Sequence, residues 1–270
     1  MLPNFLVIGG NRCGTTRIAQ NLRLHPEIYM PSKKELHFFD KDFGKGWDYY
    51  ESYFPEEKCR SHKAIGEATP AYIYKPDIAQ LIKSRMPDVK LIASLRNPID
   101  RAYSQYWNLV ATAPSEGHIN KRLTFEEKLD FTPSLIEQGF YDAELRDYYE
   151  LFPKENILIL IYEETVRNPV AEFKRIYEFL GVDPNVVSPI LDVRINSAAS
   201  KLGKYRALDL VSKAFYRVIK IPALAKRIDD INARQLPEMS PKTRESLRQK
   251  YVSSISNLEQ MLNKNLSFWV

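Results

Sequence analysis

Residues 5–16 read Phe5-Leu6-Val7-Ile8-Gly9-Gly10-Asn11-Arg12-Cys13-Gly14-Thr15-Thr16, a segment that points to the architecture of the whole chain. Its apolar, β-forming start predicts a buried parallel strand, and the paired glycines predict a tight turn after it. Residues 15–24 have helical character and stop at His25-Pro26. A strand, a glycine turn and a helix are typical of the opening of a doubly wound α/β fold.

Strand and helix patterns alternate through the rest of the chain. Strands are predicted over 64–67, 90–95 and 157–162. Helices are predicted over 77–86, 98–110, 143–152, 169–180 and most of the chain from 205 to 262, with a break near 237–241. Residues 111–132 predict a loop with a short helix, and 183–204 an irregular segment. We expect one P-loop-like α/β domain over 1–270, with a central parallel sheet flanked by helices.

The composition is that of a folded protein with a large core. The chain has 270 residues, of which 44% are hydrophobic and 27% charged, and a net charge of +5. That charge fits either a solvated basic surface or a basic cleft for a polyanion, and no Lys/Arg run predicts a nucleic-acid partner. No apolar stretch approaches about 18 residues, so no membrane segment is predicted. The two cysteines, Cys13 and Cys59, lack metal or disulfide spacing, and a reducing, cytoplasmic location is expected.

The glycine turn after the first strand predicts an anion-binding loop. Glycines let backbone N–H groups point at an anion, and the following helix start adds a positive dipole end. Thr15 and Thr16 supply hydroxyl donors, and Arg12 supplies a fixed charge. The spacing is that of a P-loop, but Thr15 stands at the lysine position, which disfavours a Walker-type NTPase. A plain strand–helix connection is the alternative.

A second anion site is predicted after the strand over 90–95, in the segment Arg96-Asn97-Pro98-Ile99-Asp100-Arg101-Ala102-Tyr103-Ser104. Arg96 lies at a strand end, where open α/β sheets bind ligands, and Ser104 lies two turns into the next helix. A guanidinium fork with a hydroxyl suits a phosphate. Surface ion pairs of Arg96 and Arg101 are the alternative. Two anion sites at two strand ends indicate a nucleotide with phosphate at both its 5′ and 3′ positions.

With these two segments the sequence resembles the superfamily of sulfotransferases that use PAPS (3′-phosphoadenosine-5′-phosphosulfate), in its bacterial and heparan-sulfate-sulfotransferase-like branch. The first loop resembles the 5′-phosphosulfate motif. Residues 96–106 are similar at every fixed position to the 3′-phosphate motif, Arg-x-Pro-x-x-Arg-x-x-Ser-x-Tyr. Residues 34–40, 46–50, 66–72 and 152–163 resemble further family segments, so that the likeness extends from residue 5 to 269.

The resemblance implies in-line transfer of a sulfuryl group from PAPS to a hydroxyl or amine, with adenosine 3′,5′-bisphosphate as product and without a metal. Glu35 is implied as the base, although by itself it fits an exposed carboxylate paired with a neighbouring lysine. Arg12 stands where the family usually has Lys, and is expected to stabilise charge rather than to donate a proton. His37 is the second candidate for proton transfer. His37, Glu67 and Tyr72 are expected to contact the acceptor, although aromatic residues such as Tyr72 equally suit a core.

The resemblance also implies a set of donor-binding residues: Arg12, Cys13, Gly14, Thr15, Thr16, Arg17, Arg96, Ser104, Tyr162, Ser197 and Lys201. In that set Tyr162 is similar to the family tyrosine that contacts adenine. Ser197 and Lys201, with Lys204, lie where relatives close over the 3′-phosphate.

The acceptor is expected to be a small molecule rather than a polysaccharide, because relatives that act on glycosaminoglycans often have Lys where Ala68 stands. Two other functional classes stay open. A small-molecule or nucleoside kinase would share the strand–loop–helix arrangement, but it would want a Walker lysine and a magnesium carboxylate. A non-catalytic nucleotide-binding protein on the same fold is compatible with an arginine at position 12.

Overall fold

The computed structural model describes residues 1–112, 123–191 and 236–270. Ser197, Lys201 and Lys204 lie outside these ranges, so their expected role in covering the donor stays a prediction. The prediction of one domain over 1–270 also stays a prediction.

The described residues form a five-stranded parallel sheet. Its strands are β1 (Phe5–Gly9), β2 (Ile28–Tyr29), β3 (Ala64–Ala68), β4 (Lys90–Leu95) and β5 (Ile157–Ile161). They lie in the order β2-β3-β1-β4-β5, and every adjacent pair is parallel. Every residue of β1 and β3 is buried, which explains the uninterrupted apolar character of β1, whereas β3 carries the buried carboxylate of Glu67. The predicted fold class is confirmed.

Helices connect these strands. They are α1 (Thr15–Arg23), α2 (Trp47–Glu51), α3 (Glu56–Cys59), α4 (Pro76–Arg85), α5 (Pro98–Thr112), α6 (Phe125–Phe131), α7 (Ser134–Glu137), α8 (Tyr141–Leu151), α9 (Tyr162–Arg167), α10 (Pro169–Leu180) and α11 (Pro241–Leu262). A π-helical turn, Phe38–Asp42, and a 3₁₀ turn, Phe43–Lys45, precede α2.

Both faces of the sheet are covered, as the alternating side chains of β1 demonstrate. Leu6 and Ile8 belong to one apolar core with buried residues of α4, α5, α8 and α11. Phe5 and Val7 belong to a second core with buried residues of α1 and α10. Burying one such side chain stabilises the fold by about 1.5–3 kcal/mol, so these two cores hold the sheet that carries the site.

The differences between predicted and observed elements lie at short or turn-like segments. The two-residue strand β2 and helix α2 escaped prediction, because each is too short to develop a hydrophobic period. The strand predicted to end at residue 162 ends one residue earlier, since Tyr162 begins α9. The predicted end of α10 at Gly181 is confirmed, with φ of 75° and an N–H that donates to the Glu178 carbonyl.

The parallel arrangement brings the carboxyl ends of the strands to one edge of the sheet. Arg12 follows β1, Thr69 follows β3, Arg96 follows β4 and Tyr162 follows β5. This edge is where open parallel sheets bind their ligands. No helix in the described ranges is long and apolar enough to cross a membrane.

Candidate active site

The turn between β1 and α1 is fixed to the end of β4. The Gly10 N–H donates to the Ser94 carbonyl at 2.7 Å, and the buried Ser94 hydroxyl donates to the Cys13 carbonyl at 2.6 Å. Gly14 starts the helix in the left-handed region, with φ of 82°. A Cβ atom at Gly14 would lie 3.0 Å from the Tyr162 ring. Only glycine therefore fits this backbone and this contact together.

The start of α1 has the donors that a phosphate needs. Among the described residues, none accepts a hydrogen bond from the backbone N–H or hydroxyl groups of Thr15 and Thr16. Unpaired N–H groups at a helix start, together with the helix dipole, bind anions. The loop residues thus fit the 5′-phosphosulfate of the donor that the sequence implied.

Arg12 joins this loop to α5. Its Nε donates to the Ser104 hydroxyl and its Nη1 to the Asn108 side-chain oxygen, each at 3.2 Å. Its carbonyl accepts a hydrogen bond from the Arg96 guanidinium at 3.4 Å. Burial, and then the charge of Arg96, lower the pKa of the Arg12 guanidinium, whereas Glu35 raises it. Two neighbouring, partly buried cations favour an anionic ligand.

The Arg96 guanidinium packs against an aromatic ring and is not paired with a carboxylate of the described residues. It lies 4.7 Å from the centre of the Tyr162 ring, and it forms no ion pair within the described ranges. The Tyr141 hydroxyl fixes its backbone by donating to the Arg96 carbonyl at 2.9 Å. This cation is therefore positioned without being neutralised.

Arg101, the second arginine of that motif, is fully buried. Its guanidinium donates to the Leu135 carbonyl and, at 3.5 Å, to the Gln138 side chain. The alternative that placed Arg101 in a surface ion pair is wrong, because the side chain ties α5 to α7 inside the core.

Glu35, His37 and Asp40 form a chain of carboxylate, imidazole and carboxylate. His37 Nδ1 lies 2.9 Å from the Asp40 carboxylate, whose side chain is 3% exposed, and His37 Nε2 lies 3.6 Å from Glu35. The Lys34 ammonium contacts the other oxygen of Glu35. The lysine pairing considered for Glu35 is thus present. The contact with the buried Asp40 carboxylate thus fixes the His37 ring with Nε2 on the side of Glu35.

Three candidate residues adopt left-handed backbone conformations. Arg12, Glu35 and His37 have φ values of 65°, 61° and 56°. Within the described ranges the only other non-glycine residue with positive φ is Asn263, which ends α11. Each such residue costs of order 1–3 kcal/mol, and such strain collects at functional sites.

Glu67 and Tyr72, expected to contact the acceptor, lie inside the protein. They are 2% and 0% exposed. The Glu67 carboxylate accepts hydrogen bonds from the hydroxyls of Thr69 and Tyr72 at 2.7 Å and from that of Tyr50 at 3.3 Å. Burial raises the pKa of Glu67. These two side chains therefore have a structural role inside the protein, instead of the expected contact with the acceptor.

Two of the expected donor ligands have other contacts. The Arg17 guanidinium donates to the carbonyls of Thr165 and Leu191, so its described contacts lead away from the phosphate loop. The Cys13 side chain is fully buried, and burial raises the pKa of its thiol to about 11. Cys13 contributes backbone to the loop, and its thiol is no nucleophile at neutral pH.

Several side chains that shape the site escaped prediction. Asn108 lies four residues after Ser104 on the same helix face, and this spacing could have indicated from the sequence that both side chains face Arg12. Asp40 lies three residues after His37. Ser94 and Tyr141 had no signal, because their contacts join segments far apart in the chain. No cluster of three or more His, Cys, Asp or Glu residues in the described ranges is arranged to hold a metal.

Comparison with known proteins gives consistent matches. A family model described as the sulfotransferase domain matches residues 2–205. Human heparan sulfate glucosamine 3-O-sulfotransferase 6 is 31% identical over 183 residues, which are 67% of this chain and 52% of that protein. Mouse heparan sulfate glucosamine 3-O-sulfotransferase 3B1 is 30% identical over 185 residues, 67% of this chain and 46% of that protein. The chain spans about half the length of these relatives.

Solved structures agree with the fold. A crystal structure of a sulfotransferase from Alicyclobacillus acidocaldarius superposes with a TM-score of 0.74 at 26% identity, covering 100% of this chain and 99% of the other. The sulfotransferase domain of the Synechococcus PCC 7002 olefin synthase, at 16% identity and a TM-score of 0.50, covers 93% of this chain and 94% of its own and shares the fold alone.

Proposed function

Because this chain belongs to the sulfotransferase family, we propose that it transfers a sulfuryl group from PAPS to a hydroxyl of a glucosamine-containing polysaccharide. The observation that carries this proposal is that Arg12 and Arg96 follow β1 and β4 and contact each other, while the backbone of Glu35 is bonded to the end of the neighbouring strand β3. The kinase alternative loses its basis, since the loop lacks a Walker lysine and the family is one of sulfotransferases.

The donor would occupy the two anion sites. The N–H and hydroxyl groups of Thr15 and Thr16 would hold the 5′-phosphosulfate, and Arg96 with Ser104 would hold the 3′-phosphate. Although the Ser104 oxygen accepts a bond from Arg12, no described residue accepts its hydroxyl hydrogen. A hydroxyl can accept and donate together, so Ser104 can bind phosphate without releasing Arg12. The Tyr162 ring, beside Gly14, would face the adenosine.

Glu35 would act as the base in the transfer. The acceptor oxygen forms its bond to sulfur while the bond between sulfur and the bridging phosphate oxygen breaks, and the hydroxyl proton passes to Glu35. Adenosine 3′,5′-bisphosphate leaves with the released electron pair. Arg12 stabilises the negative charge that grows on the bridging oxygen. His37, whose ring Asp40 fixes, would lie beside the Glu35 oxygen that Lys34 does not contact.

The expectation of a small-molecule acceptor is wrong, because the matched relatives are heparan sulfate glucosamine sulfotransferases. Alanine at position 68 therefore does not argue against a polysaccharide.

Two lysine–tyrosine pairs, whose lysines lie close to Glu35 in the sequence, support a polysaccharide acceptor. The Lys33 ammonium lies 5.3 Å from the centre of the Tyr53 ring, and the Lys45 ammonium lies 4.5 Å from that of Tyr49. The two tyrosine hydroxyls are 2.8 Å apart. Lys33 forms no ion pair in the described ranges, although Lys45 pairs with Asp42 at 3.0 Å. Ammonium groups beside flat rings suit a chain of anionic sugars.

Turnover with a panel of acceptors tests the proposal. Purified protein and PAPS are incubated with N-sulfated heparosan, unsulfated heparosan and phenolic small molecules, and sulfated products are separated by chromatography. We expect sulfate on the polysaccharide and none on the phenols. Sulfation of phenols alone would overturn the acceptor assignment. Tight binding of adenosine 3′,5′-bisphosphate without sulfation of any acceptor would favour the non-catalytic alternative.

A further inference from the structure

The backbone that carries Glu35 and His37 is bound along its length by the segment at the end of β3. The N–H of Glu35 donates to the Ala68 carbonyl at 3.1 Å. The N–H of His37 donates to the Thr69 hydroxyl oxygen at 3.4 Å, and that of Phe38 to the Tyr72 hydroxyl oxygen at 3.0 Å. Two of these three acceptors are thus side-chain hydroxyls, which rotate unless something orients them.

The buried Glu67 carboxylate orients both hydroxyls. Thr69 donates its hydrogen to one oxygen of Glu67, and Tyr72 donates its hydrogen to the other, each at 2.7 Å. A hydroxyl has one hydrogen, so giving it to Glu67 leaves only lone pairs to face the N–H groups of His37 and Phe38. The carboxylate therefore sets the direction of both hydrogen-bond relays.

The relays bind a backbone that would not hold its shape unaided. Glu35 and His37 both have positive φ, which L-residues avoid unless tertiary contacts impose it. Glu67 has no basic partner in the described ranges, and its described contacts are hydroxyl donors and the Leu36 backbone. A buried carboxylate in this setting is explained by what it orients, because an apolar residue would not direct the hydroxyls.

We propose that Glu67 is a positioning residue for the transfer reaction. Through the hydroxyls of Thr69 and Tyr72 it holds residues 35–38 so that the Glu35 carboxylate and the His37 imidazole face the reacting atoms. The inference rests on the proposed function for the role of Glu35 as base, but the hydrogen-bond clamp itself can be measured without turnover.

Two buried tyrosines provide a matched comparison. Tyr72 and Tyr50 are both 0% exposed, and both donate to the same oxygen of Glu67, but only Tyr72 also binds an N–H of the segment 35–38. We expect Tyr72→Phe to lower kcat roughly ten- to hundredfold with the KM for PAPS unchanged, as misplaced catalytic groups do. Tyr50→Phe should stay within about twofold of wild type. Equal losses in both variants, or a loss in neither, would overturn the proposal.

Glu67→Gln tests the carboxylate directly. Its amide nitrogen can only donate, so one of the two relays must reverse or break. We expect a fall in kcat at least as large as that of Tyr72→Phe, with unchanged affinity for adenosine 3′,5′-bisphosphate by calorimetry. Loss of that affinity together with activity would indicate general damage to the fold and refute a positioning role.

Amide hydrogen exchange separates the clamp from the function. In Glu67→Gln at least one of the N–H groups of His37 and Phe38 should exchange at least tenfold faster, and in Tyr72→Phe that of Phe38 should do so. In Tyr50→Phe both should exchange at the wild-type rate. Unchanged exchange in the first two variants would refute the clamp whether or not the protein sulfates any acceptor. Faster exchange with unchanged kcat would refute the catalytic consequence.

Discussion

In the proposed function, Arg12 and Arg96 would together bind a donor that carries anionic groups at two positions. The Arg12 guanidinium donates hydrogen bonds to the Ser104 hydroxyl and the Asn108 amide oxygen, both on α5. The Arg96 guanidinium lies against the ring of Tyr162. A guanidinium does not readily give up its proton, so neither side chain is proposed as a general acid. At the scale of the residue, the two arginines would thus supply fixed positive charge in the proposed reaction, and Glu35 would be its base.

Arg96→Ala should weaken binding of adenosine 3′,5′-bisphosphate far more than binding of adenosine 5′-monophosphate. Losing a hydrogen bond to a charged group costs about 1.5–3 kcal/mol, roughly ten- to hundredfold in affinity. Calorimetry with both nucleotides measures the difference. Arg244→Ala, which removes an exposed arginine paired with Asp100, is the charge-matched control. Equal losses for the two nucleotides would contradict the assignment of Arg96 to the 3′-phosphate.

Glu35→Gln keeps the shape of the side chain and removes its basicity. We expect turnover to fall about 10²- to 10⁴-fold, as for loss of a general base, with donor affinity retained. Steady-state kinetics with an acceptor already shown to react provides the measurement. Glu57→Gln, the same substitution at an exposed glutamate, is the control. A variant near wild type, with activity lost in His37→Ala instead, would make histidine the base.

At the scale of the element, the turn into α1 depends on the backbone conformation of one residue, Gly14. Gly14 combines a positive φ with close approach to Tyr162, and the helix that it starts directs its unpaired N–H groups into the site. The geometry of that single residue therefore sets both the direction of α1 and the place of the tyrosine ring.

Gly14→Ala should destabilise the fold and weaken the donor site together. The left-handed backbone costs an L-residue roughly 1–2 kcal/mol, and the added methyl would press on Tyr162. Gly44→Ala, where an added Cβ meets nothing within 4 Å, should leave both properties unchanged. Thermal unfolding and calorimetry with adenosine 3′,5′-bisphosphate check the pair. Wild-type donor affinity in Gly14→Ala would show that the loop does not bind the 5′-phosphosulfate.

At the scale of the molecule, Trp269 supports the backbone next to Arg96, at the predicted second anion site. The Trp269 indole donates to Glu163 at 3.2 Å, and the Trp269 carbonyl accepts a bond from the Asn97 side chain at 2.9 Å. The Asn97 side chain also accepts the N–H of Ile99 at the start of α5. Residues from three distant parts of the sequence thus fix the backbone beside Arg96.

Trp269→Ala should lower the free energy of unfolding by about 3–5 kcal/mol, because the side chain is 2% exposed. Its neighbour Phe268 is 50% exposed, and Phe268→Ala should change stability by no more than about 0.5 kcal/mol. Denaturant unfolding of both variants measures the contrast. A small loss for Trp269→Ala would mean that the tail does not support the site.

The sequence by itself determined the α/β class, the glycine turn after β1 and the placement of Arg96 and Ser104 after β4. These features follow from local patterns: apolar runs make buried parallel strands, and parallel strands bring their carboxyl ends to one edge. Glu35 and His37 were singled out by the family resemblance and not by local pattern alone. The small-molecule acceptor expected from Ala68 was wrong, and the polysaccharide acceptor is proposed from the relatives.

Only the tertiary structure decided which polar residues face the site and which support it from within. Glu67 and Tyr72 were expected at the acceptor and are buried, Arg17 bonds to two carbonyls, and Arg101 lies in the core. The reason is that the burial and partners of a polar side chain depend on segments far away in the chain, and a sequence pattern does not record them. The same long-range contacts impose the positive φ of Glu35 and His37.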